Sequence, residues 1–326
     1  MDRKEKIGKN VNALYETVPY PQWDHKKRFS KLANEILRFK NMQLDQYLKG
    51  AKVLDVGCGT GNRSMLMAQH FDVAELYGFD ACQNSLKIAA EVAKEEGFNN
   101  FKPIHGDLFN LPFEDNSFDV VFSWGVLHHT FDPKLGLKEM HRVCKKGGYI
   151  CFFVYNSFAD WRHNIQRNDV LKNGGINDYE KLNYALKHYA YTSKYKSFNN
   201  IDEMNSEILA EFRDEFIHPY KSDHTITEIL EWQKELSIDY CGSFPPMRFR
   251  DTITWIKDRY SMRDEYPISN SKVEKVVGFL SYLIPRFNKS FKTPTKFHIF
   301  LWHIFLFLQG ADGSFSHGPA IAGRKK

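Results

Sequence analysis

From Lys52 onward, short apolar runs alternate with longer segments whose apolar residues recur every three or four positions. "KVLDV" (52–56), "ELYGF" (75–79), "FKPIH" (101–105), "SFDVVFSW" (117–124) and "YICFFVY" (149–155) are compact and rich in β-branched or aromatic residues, so they read as strands. "NRSMLMAQH" (62–70), "QNSLKIAAEVAKEEG" (83–97) and "PKLGLKEMHRVCKKGG" (133–148) read as helices, the second closed by Gly97 and the third by its double glycine. Strands alternating with helices at this spacing predict a doubly wound, mostly parallel α/β sheet.

The flanks break the rhythm. Residues 1–30 form a polar arm in which Pro19 and Pro21 disfavour helix and predict an extended path. Apolar residues at helical spacing from Leu32 to Leu48 predict a helix ended by Gly50. Past Tyr155 the alternation stops, and residues 157–224 read as helices and loops inserted above the sheet. "TITEILEWQKELSIDYCGSF" (225–244) adds a helix and a strand, and "GPAIAGRKK" (318–326) ends the chain as a candidate short strand. The run "FHIFLWHIFLFL" (297–308) is far short of the ~20 residues of a spanning helix, so a buried helix is expected there, with a membrane-surface contact as the alternative. The expected organisation is an arm and lid helix (1–45), a cofactor-binding core (46–156), an inserted helical cap for substrate (157–224) and a segment completing the sheet with extra helices (225–326).

Composition narrows the function classes. The net charge of +5 is concentrated in part on the arm, where residues 1–45 carry ten Lys/Arg against six Asp/Glu, but no segment has the dense basic stripe of a nucleic-acid binder. The five cysteines form no C-x-x-C pair, which fits unpaired thiols in a reducing compartment and no metal site. The opening "MDRKEKIGKN" holds no apolar signal-peptide region, so a cytoplasmic location is expected.

The candidate chemistry lies in "VLDVGCGTGN" (53–62). A buried strand carrying Asp55 enters a loop with Gly57, Gly59 and Gly61 at alternate positions. Nicotinamide-binding loops place their glycines as G-x-G-x-x-G, and here Asn62 stands where the last would be. Two acids follow at strand ends: Asp80, placed to accept bonds from ribose hydroxyls, and Asp107, placed at the crevice where the strand order would reverse. The fourth strand runs directly into a loop with His128 and His129, natural general-base candidates because imidazole titrates near neutrality.

Taken together, "VLDVGCGTGN", "GFDACQNSL", "GDLFNLPFEDNSFDVVFSWGVLHHTFDP" and "VCKKGGYICF" resemble the class I S-adenosylmethionine-dependent methyltransferases, over about Lys52 to Val154. The resemblance implies a seven-stranded Rossmann-like sheet with an antiparallel seventh strand, for which "GPAIAGRK" is the candidate. It implies S-adenosylmethionine as cofactor, with Gly57, Gly59 and Gly61 along its methionine and ribose. Asp55 would fix the loop, Asp80 would bind the ribose, and Asp107 with Leu108 would meet the adenine. Ser123 and Trp124 would close the floor at the sulfonium. The arm segment "YETVPYPQWD" and "DEFIHPYKSDHTITEILEW" resemble a bacterial-type branch of the family and bring no substrate with them. On the arm, Tyr15, Tyr20 and Trp23 could close over the cofactor as a lid; His218 could reach down from the cap. Where family members acting on planar amino nitrogens carry an N-P-P-Y-like tetrapeptide, this chain reads "SWGV", which disfavours nucleobase amines. A small or apolar acceptor in an enclosed pocket is the expected substrate. RNA methylation and cofactor binding without catalysis are the alternatives.

Overall fold

The computed structural model describes residues 3–21, 35–189, 195–261, 291–309 and 318–326. Its centre is a seven-stranded sheet in the order β3-β2-β1-β4-β5-β7-β6. The strands are β1 (Lys52–Val56), β2 (Glu75–Asp80), β3 (Phe101–His105), β4 (Phe118–Trp124), β5 (Cys144–Phe153), β6 (Ile238–Phe244) and β7 (Ala320–Lys325). β7 runs antiparallel to both β5 and β6, while the remaining pairs are parallel. The fold is therefore Rossmann-like and mostly parallel, and "GPAIAGRK" supplies the antiparallel strand.

Because successive strand residues point to opposite faces, each central strand feeds two apolar layers. Leu54, Val121, Ile150 and Ile321 pack on one face against α4 (Pro133–Val143), α8 (Ile226–Glu235) and Leu306 of α10 (Lys296–Gln309). Val53, Val120, Cys151 and Ala322 pack on the other against α2 (Asn62–Phe71), α3 (Gln83–Glu95) and the segment Phe39–Leu48. Local chemistry sets the helix starts. Asp132 accepts from the Leu135 amide with Pro133 in the first turn of α4. Thr225 and Glu228 form a reciprocal capping box on α8.

Among the described residues the helix expected over Leu32–Leu48 is broken at 42–44, with Gln43 at a φ of 60°, and resumes as Asp45–Leu48. Three further helices also depart from the sequence expectation. Residues Arg3–Thr17 form a helix, α1, where an extended arm was predicted. The prolines constrain the chain only from residue 18 onward, so they end this helix without preventing it. α4 stops at Val143, and the double glycine lies inside β5, where the register with β4 slips between Phe118 and Val120. Gly147 adopts a φ of 75° in that bulge. Third, α10 is not buried: only Leu306 is fully enclosed, while Phe297, Phe300, Leu301, Ile304, Phe305, Phe307 and Leu308 are exposed.

Between β5 and α8 the chain leaves the sheet as α5 (Trp161–Asn173), α6 (Asp178–Tyr189) and α7 (Ser206–Ile217). These helices hold a separate apolar cluster that includes Val170, Leu186, Phe212 and Phe216. The ends of the excursion are clipped together: Ser157 donates to the His224 carbonyl at 3.2 Å and His224 to that of Tyr155 at 2.8 Å. The helix α9 (Phe249–Ser261) follows β6.

Candidate active site

The order of strands reverses between β1 and β4, and in open α/β sheets ligands bind in the crevice beyond the strand ends at that point. A cavity of about 570 Å³ opens there. Its floor includes Asp55, Gly57, Gly59, Asp80, Asp107, Leu108 and Trp124. Its roof comes from α1 and the segment after it, through Val11, Tyr15, Tyr20 and Pro21, and from the inserted helices, through His163, Glu211, Asp214 and Glu215.

The glycine loop is shaped by what presses on it. Gly59 has a φ of 53°, and a Cβ there would lie 2.4 Å from the backbone carbonyl oxygen of Tyr20. The same arm segment is held down by Thr60, whose hydroxyl donates to the Pro21 carbonyl, and by the Asn62 amide at 3.0 Å from that oxygen. Replacing Gly59 with alanine therefore displaces the arm and forces a left-handed residue. A stability loss of about 1–3 kcal/mol and weaker cofactor binding are expected, read by thermal unfolding and calorimetry; wild-type values in both would show that the arm does not rest on the loop.

Asp80 ends β2, with one carboxylate oxygen accepting from the Gly59 amide at 2.8 Å and the other from the Cys82 amide at 2.8 Å. Burial raises its pKa, opposed by these two N–H donors. Asp55 is buried under the loop and accepts from the Ser64 hydroxyl; burial pushes its carboxyl up to about 7. Asp107 is exposed and accepts from the Phe109 amide at 3.0 Å, beside Leu108 on the cavity wall. Gly61 begins α2 with a φ of 72° and packs against Ala89. Ser123 is turned away from the cavity lining and donates to the Val56 carbonyl at 2.8 Å, tying β4 to β1. Trp23 lies outside the described residues.

The two adjacent histidines occupy different environments. His128 is fully buried, stacked on Tyr155 with ring centroids 3.7 Å apart, and lies outside the cavity lining. His129 lines the cavity. Its Nδ1 sits 2.9 Å from the Tyr220 carbonyl oxygen. A carbonyl only accepts, so Nδ1 carries the proton and Nε2 keeps its lone pair. Burial lowers the pKa of His129, with Asp214 opposing, and the ring is neutral at pH 7. His218 stacks on His129 at 3.7 Å, and burial lowers its pKa too. One atom each of His129, His218 and Asp214 lies within 4.8 Å of the others. The Tyr220 amide donates to Nδ1 of His218, which leaves the proton of that neutral ring on Nε2. A protonated Nε2 cannot ligate, so the trio suits a hydrogen-bonding group better than a cation. Tyr15 completes it, donating to Asp214 at 2.8 Å.

The sequence model of the methyltransferase-domain family matches residues 48–212, half of the chain. The chain belongs to the class I S-adenosylmethionine-dependent methyltransferases. Curated relatives include demethylmenaquinone methyltransferases from Geobacillus stearothermophilus (36% identical over 148 residues, 45% of this chain and 60% of that protein) and from Bacillus pumilus (37% over 147 residues, 45% and 58%). The matched region thus spans about three fifths of those relatives. Among solved structures, the chain is similar to a putative sarcosine dimethylglycine methyltransferase from Galdieria sulphuraria, at 12% identity and a TM-score of 0.48 over 98% of each chain, a likeness too distant to bear on substrate.

The cofactor of this family is S-adenosylmethionine, and the floor of the cavity has the chemistry to take it. The loop is bare of side chains at Gly57 and Gly59, and the Asp80 oxygens retain lone pairs beyond their two amide bonds. Trp124 offers a flat wall, stacked on Phe153 at 5.7 Å. Several cavity residues carried no mark in the sequence. The Arg38 guanidinium, bonded to Glu35 at 2.8 Å, covers the Trp124 ring at 4.4 Å, and Arg63 covers it at 5.1 Å. Arg63 follows the glycine loop directly and could have been flagged by that position. Arg38 and the carboxylates of α7 reach the site only through tertiary packing.

Proposed function

We propose that this chain transfers a methyl group from S-adenosylmethionine to a small, largely apolar acceptor closed inside the cavity. The observation that carries this reading is the continuity of one 570 Å³ space from Gly57 and Asp80 to His129, roofed by α1 and α7. That volume falls within the range of about 300–1,000 Å³ usual for small-molecule sites. The described residues show no dense basic stripe along the cavity, which disfavours RNA. The demethylmenaquinone specificity named for the relatives, which share the core, favours a fused-ring acceptor with an ionisable hydroxyl. Phe109, Phe131, Phe153 and Tyr155 line the space and suit such rings.

When bound, the cofactor supplies an electrophilic methyl group and a neutral sulfide leaving group. The chain then has to align an acceptor, exclude water and take a proton. We assign Asp80 to the ribose, Asp55 to the support of the loop through Ser64, and Asp107 with Leu108 to the adenine side. His129 holds the proton-accepting lone pair. The arm residues Tyr15 and Tyr20 act as the lid, residues 157–224 as the substrate wall, and residues 225–326 as completion of the sheet. His128 supports His129 by packing.

A second reading is favoured by Glu211, Asp214 and Glu215, which place three carboxylates at the roof near the phenols of Tyr15, Tyr20 and Tyr155. Carboxylates and aromatic faces together attract an ammonium group, so an amine is the alternative acceptor. Incubation with S-adenosylmethionine and separate panels of reduced naphthoquinones, amines and RNA separates these readings by formation of the demethylated cofactor and a one-methyl mass gain. Turnover on the quinols is expected. Turnover on amines alone selects the second reading, and turnover on RNA with steep salt dependence overturns both.

A further inference from the structure

The helix α10 presents a face that the methyltransferase reading does not use. Ile299, Trp302 and Leu306 turn inward onto the core, and the Trp302 indole donates to the Met247 carbonyl at 2.9 Å. At 3.6 residues per turn, Phe297, Phe300, Leu301, Ile304, Phe305, Phe307 and Leu308 fall within one arc of roughly 160°. No polar residue interrupts that arc, and its members are 42–68% exposed. Isolated exposed apolar side chains are ordinary, but a contiguous strip of seven on one helix marks an interaction surface. At its carboxyl end the strip meets Trp161 of α5, which stacks on Phe307 at 4.8 Å, and Arg162 covers that indole at 5.1 Å. One turn further along α5, Ile165 is 62% exposed.

Charge decides what suits this strip. Across the described residues 291–309 the chain carries two lysines and no Asp or Glu. Lys292 and Lys296 are exposed at the amino-terminal end of the helix, and Arg162 stands at the other. Aromatic and aliphatic residues on the buried side, an indole at the margin and cations at both ends are the pattern of a helix lying in the plane of an anionic lipid surface. The helix has 14 residues, about 21 Å at 1.5 Å per residue, too short for the ~30 Å hydrocarbon core. No helix among the described residues is long and apolar enough to cross a membrane.

We propose that α10, with Trp161 and Arg162 of α5, docks the enzyme onto anionic lipid surfaces. The proposal is independent of the acceptor reading, because none of these residues lines the cavity. Co-sedimentation of the full chain with phosphatidylcholine vesicles, with or without phosphatidylglycerol, tests it. Binding to the phosphatidylglycerol vesicles is expected, at least about tenfold stronger than to phosphatidylcholine alone. The double variant Phe300→Glu with Ile304→Glu should lose at least about tenfold of that binding while keeping cofactor affinity and melting temperature. If that variant does not fold, Lys292→Glu with Lys296→Glu reads the charge contribution alone, and reduced binding is again expected. A wild-type chain that stays in the supernatant overturns the proposal, as does a folded variant that sediments like wild type. Lipid-free self-association abolished by the same apolar substitutions would assign the strip to a second copy of the chain and overturn it as well.

Discussion

Replacing His129 with alanine is expected to lower turnover about 10²–10⁴-fold while leaving affinity for S-adenosylmethionine nearly unchanged. The expectation singles out one of two adjacent histidines. His129 reaches the cavity with its proton held on Nδ1 by the Tyr220 carbonyl, so its other nitrogen is free of a proton. Tyr220 is itself positioned by the cap's return path, where the Ser222 amide donates to the His128 carbonyl at 2.8 Å. His128 is stacked in the core on Tyr155, so His128→Ala should reduce stability more than turnover. Burial holds His129 below the ordinary 6.5, so the rate should persist through that value and fall only at lower pH, where the ring takes up a proton. Stability follows the same groups with a definite sign. His129 and His218 are both depressed in the folded chain, so the unfolded chain binds more protons as pH falls. Their contribution is complete above about 6.5 and is lost progressively below it, which a melting series across pH 5–8 would show. Normal turnover by His129→Ala on a confirmed acceptor would leave catalysis to alignment and water exclusion.

What could be read from sequence was local. The glycine loop, Asp80 and the histidine pair sit at strand ends, and a strand followed by a loop places its own terminal residues whatever packs around it. The final strand was legible for the same reason, as an apolar run bounded by glycine. What was not legible depends on contacts between distant segments. Nothing near Tyr15 announces that its hydroxyl meets Asp214, 199 positions away. Glu211, Asp214 and Glu215 have the spacing of an ordinary solvated helix face, and only the fold of residues 157–224 turns that face onto the cavity. The apolar run of α10 misled because periodicity reports which faces are apolar and not what covers them. Ser123 illustrates the converse: its position in the motif suggested the cavity floor, but strand alternation turns its hydroxyl toward Val56.

Asp80→Ala is expected to weaken S-adenosylmethionine binding roughly 10- to 150-fold, corresponding to about 1.5–3 kcal/mol for lost hydrogen bonds to a charged acceptor. Two effects add. On our assignment the carboxylate accepts from the ribose hydroxyls with the lone pairs it has left. It also organises the loop before any ligand arrives, because its oxygens hold the amides of Gly59 and Cys82, each at 2.8 Å. Alanine leaves both N–H groups without that partner, and Gly59 then loses part of what keeps it in its left-handed conformation. Asp80→Asn separates the two effects. One amide oxygen can still accept, but the NH₂ group cannot serve the second backbone donor. If loop organisation dominates, Asn should lose nearly as much affinity as Ala and the ligand-free protein should melt earlier. If direct contact with the ribose dominates, Asn should fall between wild type and Ala, with the ligand-free melting temperature close to wild type. Calorimetry on the three proteins, paired with melting curves without ligand, decides between them. Wild-type affinity in Asp80→Ala would remove Asp80 from the cofactor site altogether.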